Sequence, residues 1–151
     1  MEVAVSAVLS AIHVLTLALG LGAVIARGRA LAGPLDEAGW RRLLVADNLW
    51  GVAAALWIAS GFGRVFLGGK EPAFYWGNGL FWLKLTLFGL VFLLEQALMI
   101  TFIRARAARR RGEAMPHFPV ATYRRINTVE TALVIVIVFV AAFMARGAWM
   151  V

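Results

Sequence analysis

Apolar residues dominate four long stretches of this chain, at about Val3–Ala26, Leu44–Leu67, Gly79–Ile103 and Ile126–Ala145. Each reaches the ~20 residues that a helix needs to cross the hydrocarbon of a bilayer. None alternates with the period of two that a membrane barrel strand shows, so each predicts a helix. The expected fold is an all-α integral membrane protein, one domain over residues 1–151, built as an antiparallel bundle of four transmembrane helices. Pro34, Pro72, Pro116 and Pro119 fall between the stretches, where a missing backbone N–H breaks nothing. The first stretch has no basic segment before it and is too long for a signal-peptide core, so it reads as a retained span.

Ionisable groups are costly in hydrocarbon, so those inside the spans are expected to face the bundle interior. Their spacing agrees. On the first span Ser6, Ser10, His13, Leu17, Gly20, Val24 and Arg27 recur every three or four residues and form one stripe. On the second, Asp47, Trp50, Ala54, Trp57, Gly61 and Arg64 do the same, with small residues that allow close helix approach. On the third, Lys84 and Glu95 are close to three turns apart and point the same way, with Phe88 and Val91 between them. On the fourth, Asn127, Glu130, Thr131 and Val134 make a short polar face. At ~1.5 Å per residue His13 lies ~15 Å deep, near the midplane and level with Trp57. Lys84 lies nearer the outer surface. Glu95 and Glu130 lie together toward the other surface, with Asp47 and Arg27 closer still to it.

Each group also has a plain packing role open to it. His13 can hydrogen-bond Ser10 or a backbone carbonyl, and Lys84 can snorkel outward. Glu95, Asn127 and Glu130 can hold helices together. Glu95 can also pair with Arg27 or Arg124, and Trp50 and Trp57 can fill the core.

Composition sharpens this picture. The chain is 62% hydrophobic and only 15% charged, far from the balance of a soluble domain. Its net charge of +7 is not spread evenly. Arg27, Arg29, Arg41 and Arg42 flank the first connection. Arg104, Arg106, Arg109, Arg110, Arg111, Arg124 and Arg125 flank the third. The second holds only Lys70 and Glu71, with Arg64 at its edge. By the positive-inside rule the first and third connections are cytoplasmic and both termini lie outside. The basic runs are thus topology signals, and no nucleic-acid partner is expected. Trp76, Trp82 and Trp149 near the outer ends suit an aromatic belt. There is no cysteine, which excludes disulfides and thiolate metal sites.

A neutral imidazole in an apolar, helix-lined cavity suits the iron of haem. His13 is therefore the candidate metal ligand, with Trp57, Arg64 and Lys84 the remaining candidate cofactor-binding residues: an aromatic wall and two cations for propionates. Lys84, Glu95 and Glu130 are the candidate catalytic residues, placed for proton handling. Bis-histidine ligation within the bundle is excluded, because the second histidine, His117, lies in the third connection. One histidine without cysteine is a poor copper or zinc set. The sequence holds no nucleotide loop, no HExxH and no nucleophile–base pair.

With "IHVLTLALGLGAVIARGRAL", "ADNLWGVAAALWIASG" and "LFWLKLTLFGLVFLLE" the chain resembles, over nearly its whole length, a family of bacterial four-span membrane proteins classed as a domain of unknown function. More distantly it is similar to HemJ-type protoporphyrinogen oxidases and to the membrane domain of CopD copper-resistance proteins. The first of these pair a first-helix histidine with a later lysine preceded by tryptophan, echoed by His13 and by Trp82–Lys84. They also carry Arg then Asn-Glu entering the last helix. Here Arg124, Arg125, Asn127 and Glu130 stand there, with the acid displaced by three residues and the tryptophan spacing changed. The resemblance implies an inner-membrane protein that binds haem b or another porphyrin, with redox chemistry on a porphyrin or quinone. The other classes left open are a structural or interaction protein, forming a homo-oligomer among its contacts, and a small proton-coupled transporter or channel.

Overall fold

The computed structural model describes residues 2–68 and 70–149. Five helices follow one another: α1 (Glu2–Ala32), α2 (Glu37–Leu67), α3 (Pro72–Trp76), α4 (Gly79–Arg111) and α5 (Val120–Ala145). All but α3 are long and apolar enough to cross a membrane.

The helices run beyond the sequence-based spans at one end of the bundle. α1 runs past Ala26 to Ala32, α2 starts at Glu37 rather than Leu44, α4 runs past Ile103 to Arg111, and α5 starts at Val120 rather than Ile126. The physical reason is that charge ends a hydropathy window without ending a helix. Alanine and arginine are strong helix formers, and "RARAARRR" continues α4 for two turns. The first connection thereby shrinks to residues 33–36 and the third to residues 112–119.

The ends that remain are sharply specified. Pro34 cannot extend α1. Asp36 caps α2, its carboxylate accepting from the Gly39 N–H at 2.7 Å. Gly39 lies against the Pro34 carbonyl, and a side chain there would collide with it. Asn78 caps α4, accepting from the Leu80 N–H at 2.9 Å. Gly112 ends that helix at φ +67°, and the Glu113 N–H closes the last turn on the Ala108 carbonyl at 2.9 Å. The second connection carries the extra helix α3, started by Pro72 and fastened by Tyr75, whose hydroxyl donates to the Arg64 carbonyl.

α1 lies along α2 for most of its length. Ser6 meets Gly68, His13 meets Ser60, Gly20 meets Ala53 and Arg27 meets Asp47, so numbers rise on one helix as they fall on the other. α4 and α5 pair the same way, from Gly79 beside Trp149 to Thr101 beside Tyr123. α1 reaches α5 near Val24–Gly28, where a methyl on Gly28 would come 2.6 Å from the Asn127 amide. α2 and α4 touch mainly through side chains.

Three apolar layers fill the interior. At the arginine-rich end Leu31, Trp40, Leu43, Leu98, Phe102, Phe118 and Tyr123 pack together. In the middle are Val24, Trp50, Trp57, Val91, Val134 and Ile137. At the opposite end are Val65, Tyr75, Leu80, Phe81, Val140 and Met144. α1 contributes nothing to this last layer. Its first fully buried residue is Thr16, and Val3, Val8, Val14 and Leu15 are exposed. On the inward stripe of α1, Ser6, Ser10 and His13 are only half-buried, whereas Gly20, Val24 and Arg27 are buried, so the stripe is less covered around His13.

Candidate functional site

Two polar assemblies sit inside the bundle, on either side of the middle layer. The first is built around Arg27, whose side chain is 0% exposed. Its Nε donates to Asn127 Oδ1 at 2.8 Å, and Nη1 donates to both Glu95 oxygens at 2.8 and 2.9 Å and to Asp47 Oδ1 at 3.2 Å. Nη2 donates to Glu130 Oε2. Arg106, further along α4, pairs with the other Asp47 oxygen. The Trp50 indole N–H donates to Glu95 at 3.1 Å, and its ring lies 5.7 Å from the guanidinium. Asn127 in turn donates to the Val24 carbonyl. One guanidinium thus joins all four long helices, using the fixed fork of donors that lysine lacks.

The second assembly is built around His13. Its Nδ1 lies 2.8 Å from Ser60 Oγ, and the Ser60 hydroxyl donates to the Trp57 carbonyl at 3.3 Å. If the hydroxyl hydrogen is used there, Nδ1 carries the ring proton and donates, which leaves the Nε2 lone pair unengaged. Such a tethered imidazole is the form that ligates a metal. The Trp57 ring is 6.2 Å from His13 and 6.2 Å from Phe88, centroid to centroid. The Trp57 indole N–H is buried and has no hydrogen-bond partner. Arg64 and Lys84 stand within electrostatic reach of His13, and neither has a carboxylate partner among the described residues. Lys84 Nζ lies instead over the Phe81 ring, 5.4 Å from its centre.

The structure gathers His13, Trp57, Arg64 and Lys84 on one side, as their helical registers predict. It does not bring Lys84 to Glu95 and Glu130. Those acids belong to the Arg27 assembly, eleven residues and ~16 Å along the helix from Lys84 in the case of Glu95. Of the two partners considered for Glu95, Arg27 takes it and Arg124 is exposed. The hydroxyl that holds His13 is Ser60 of α2, not Ser10 of its own helix, because the α1 stripe faces α2. Arg27 is a buried hub, not a charge of the first connection. His117 is exposed and takes no part. Ser60, one turn from Trp57, goes unnamed in the sequence reading, and Arg106, three turns from Glu95 on the same face, enters it only as a charge of the third connection.

Four membrane-length helices enclosing these two assemblies define a multispan α-helical membrane protein. The chain belongs to the family described as Predicted membrane protein (DUF2214), whose pattern it matches over residues 5–148. No curated protein and no solved structure matches it.

Proposed function

We propose that this protein binds haem b, or a dicarboxylate porphyrin of that size, in the outer half of the bundle beside His13. The observation that carries this reading is the His13–Ser60–Trp57 chain: a ring nitrogen held by its partner, with the opposite nitrogen unengaged in an apolar setting. The surrounding groups fit the ligand. Arg64 and Lys84 are two cations without a carboxylate partner among the described residues, suited to two propionates. The unpartnered Trp57 N–H is a buried donor in need of an acceptor. The Trp57 ring beside His13 offers an aromatic surface, and the half-buried stripe of Ser6, Ser10 and His13 leaves a side for entry. When bound, haem supplies one-electron redox chemistry at its iron, which makes a membrane oxidoreductase the activity class that follows. The protein's part is to hold the imidazole in one tautomer, neutralise the carboxylates and exclude water.

The cations give a graded test. Titrating haem into the detergent-purified protein, Arg64→Gln and Lys84→Gln are each expected to weaken binding ~10-fold, the scale of one charge-assisted contact. A porphyrin with both propionates esterified should bind wild type and variants alike. Equal affinity of wild type and both variants for haem itself would remove the propionate assignment.

The same reading places the arginine-rich end in the cytoplasm of a bacterial inner membrane. Arg29, Arg41, Arg42, Arg104, Arg109, Arg110, Arg111, Arg124 and Arg125 are all exposed there, which supports the positive-inside assignment. With no native cysteine, single replacements report alone. A membrane-impermeant maleimide should label Glu71→Cys on intact spheroplasts and Glu113→Cys only after lysis. The reverse pattern would invert the topology.

A further inference from the structure

The Arg27 assembly is unbalanced. Asp47, Glu95 and Glu130 bring three formal negative charges, and Arg27 and Arg106 bring two positive ones. Among the described residues no other charged side chain reaches the cluster from the helices packed around it: α1 offers Arg27, α2 Asp47, α4 Glu95 and Arg106, and α5 Glu130. Fully ionised, the cluster would hold a net charge of −1 inside a membrane-length bundle, an expensive state in hydrocarbon.

The three acids are not equivalent. Asp47 meets two guanidinium groups. Glu95 receives Arg27 on both oxygens and Trp50 on one, and its side chain keeps 16% exposure. Glu130 is 0% exposed, its Oε1 accepts from no donor, and the Glu95 carboxylate lies close enough to share a proton with it. A buried carboxylate oxygen without a donor is far costlier than a neutral carboxylic acid at the same place. Asp47 and Glu95 add like charge within electrostatic reach of it.

We propose that the Arg27 cluster is a proton-binding site, with Glu130 carrying one exchangeable proton on the oxygen that Arg27 leaves free. With it the cluster is neutral. Glu95 and Arg106, the two partly exposed members, form its contact with water at the arginine-rich end. The site stands independently of the porphyrin reading, since no member of the His13 assembly takes part.

Infrared spectroscopy of the purified full-length protein at neutral pH tests it. The remaining acids with described side chains, Asp36, Glu37, Glu71 and Glu113, are exposed. Wild type is expected to show the C=O stretch of one protonated carboxylic acid, shifted in D2O. Glu130→Gln should remove the band, Glu130→Asp should move it, and Glu95→Gln should keep it. No such band in wild type, or a band that Glu95→Gln removes while Glu130→Gln leaves it, would overturn the proposal. If Glu130→Gln fails to fold, Glu130→Asp decides: a displaced band supports the assignment and an unmoved one refutes it.

Discussion

Arg27→Ala is expected to cost the protein about 3–5 kcal/mol, the scale of breaking a buried ion pair by removing one partner. The expected fall in melting temperature in detergent is about 10 °C or more, read from tryptophan fluorescence. The reason is what remains behind. Asp47, Glu95 and Glu130 would face one another with only Arg106 on Asp47, and Asn127 would lose its acceptor role. Arg27→Lys should recover little of the loss, because an ammonium cannot serve Asn127, Glu95 and Glu130 in one plane. Neutralising the acids should recover more. Combining Arg27→Met with Glu95→Gln and Glu130→Gln removes the uncompensated charge and should melt above Arg27→Ala. A triple variant no more stable than Arg27→Ala would mean that the guanidinium acts through its bulk and not its charge.

Much of this architecture is legible in the chain because period and burial act on the same residues. The α1 stripe from Ser6 to Arg27 faces α2 over its whole length, and the α2 stripe from Asp47 to Arg64 faces back. Registers on single helices therefore place His13 beside Trp57 without a structure. What the chain hides is partner choice. Four arginines lie within a turn or two of the same membrane surface, and only packing decides that Arg27 turns inward while Arg29, Arg41 and Arg42 do not. The deciding contact is the close approach of α1 and α5 at Gly28, a pairing between distant parts of the chain. Helix ends are hidden for another reason. The signal for a span is hydrophobicity, whereas the helix follows backbone propensity and stops only at Pro34, Gly112 and Pro119. Ser60 was invisible because a serine in a span usually bonds its own preceding turn, as it does here to Trp57, and nothing local announces a second partner across the interface.

His13→Ala is the other substitution with a large expected effect, which under the proposed porphyrin binding falls on binding and not on folding. His13 is only half-buried and reaches the bundle through one side-chain hydrogen bond, to Ser60. Its loss leaves Ser60 its bond to Trp57, so the stability cost should stay within about 1.5 kcal/mol. If His13 is the axial ligand, the same change removes the bond that fixes the iron. Ser60→Ala should act in the same direction more weakly, because it frees the ring to turn and lets either nitrogen carry the proton.

The most direct measurement is the visible absorption spectrum of the full-length protein, purified from cells supplied with a haem precursor, beside His13→Ala purified in parallel. A Soret band in wild type that disappears in a folded His13→Ala protein is the predicted result. A wild-type protein without a Soret band, even after haem is added, or a band that His13→Ala leaves unchanged, would contradict it.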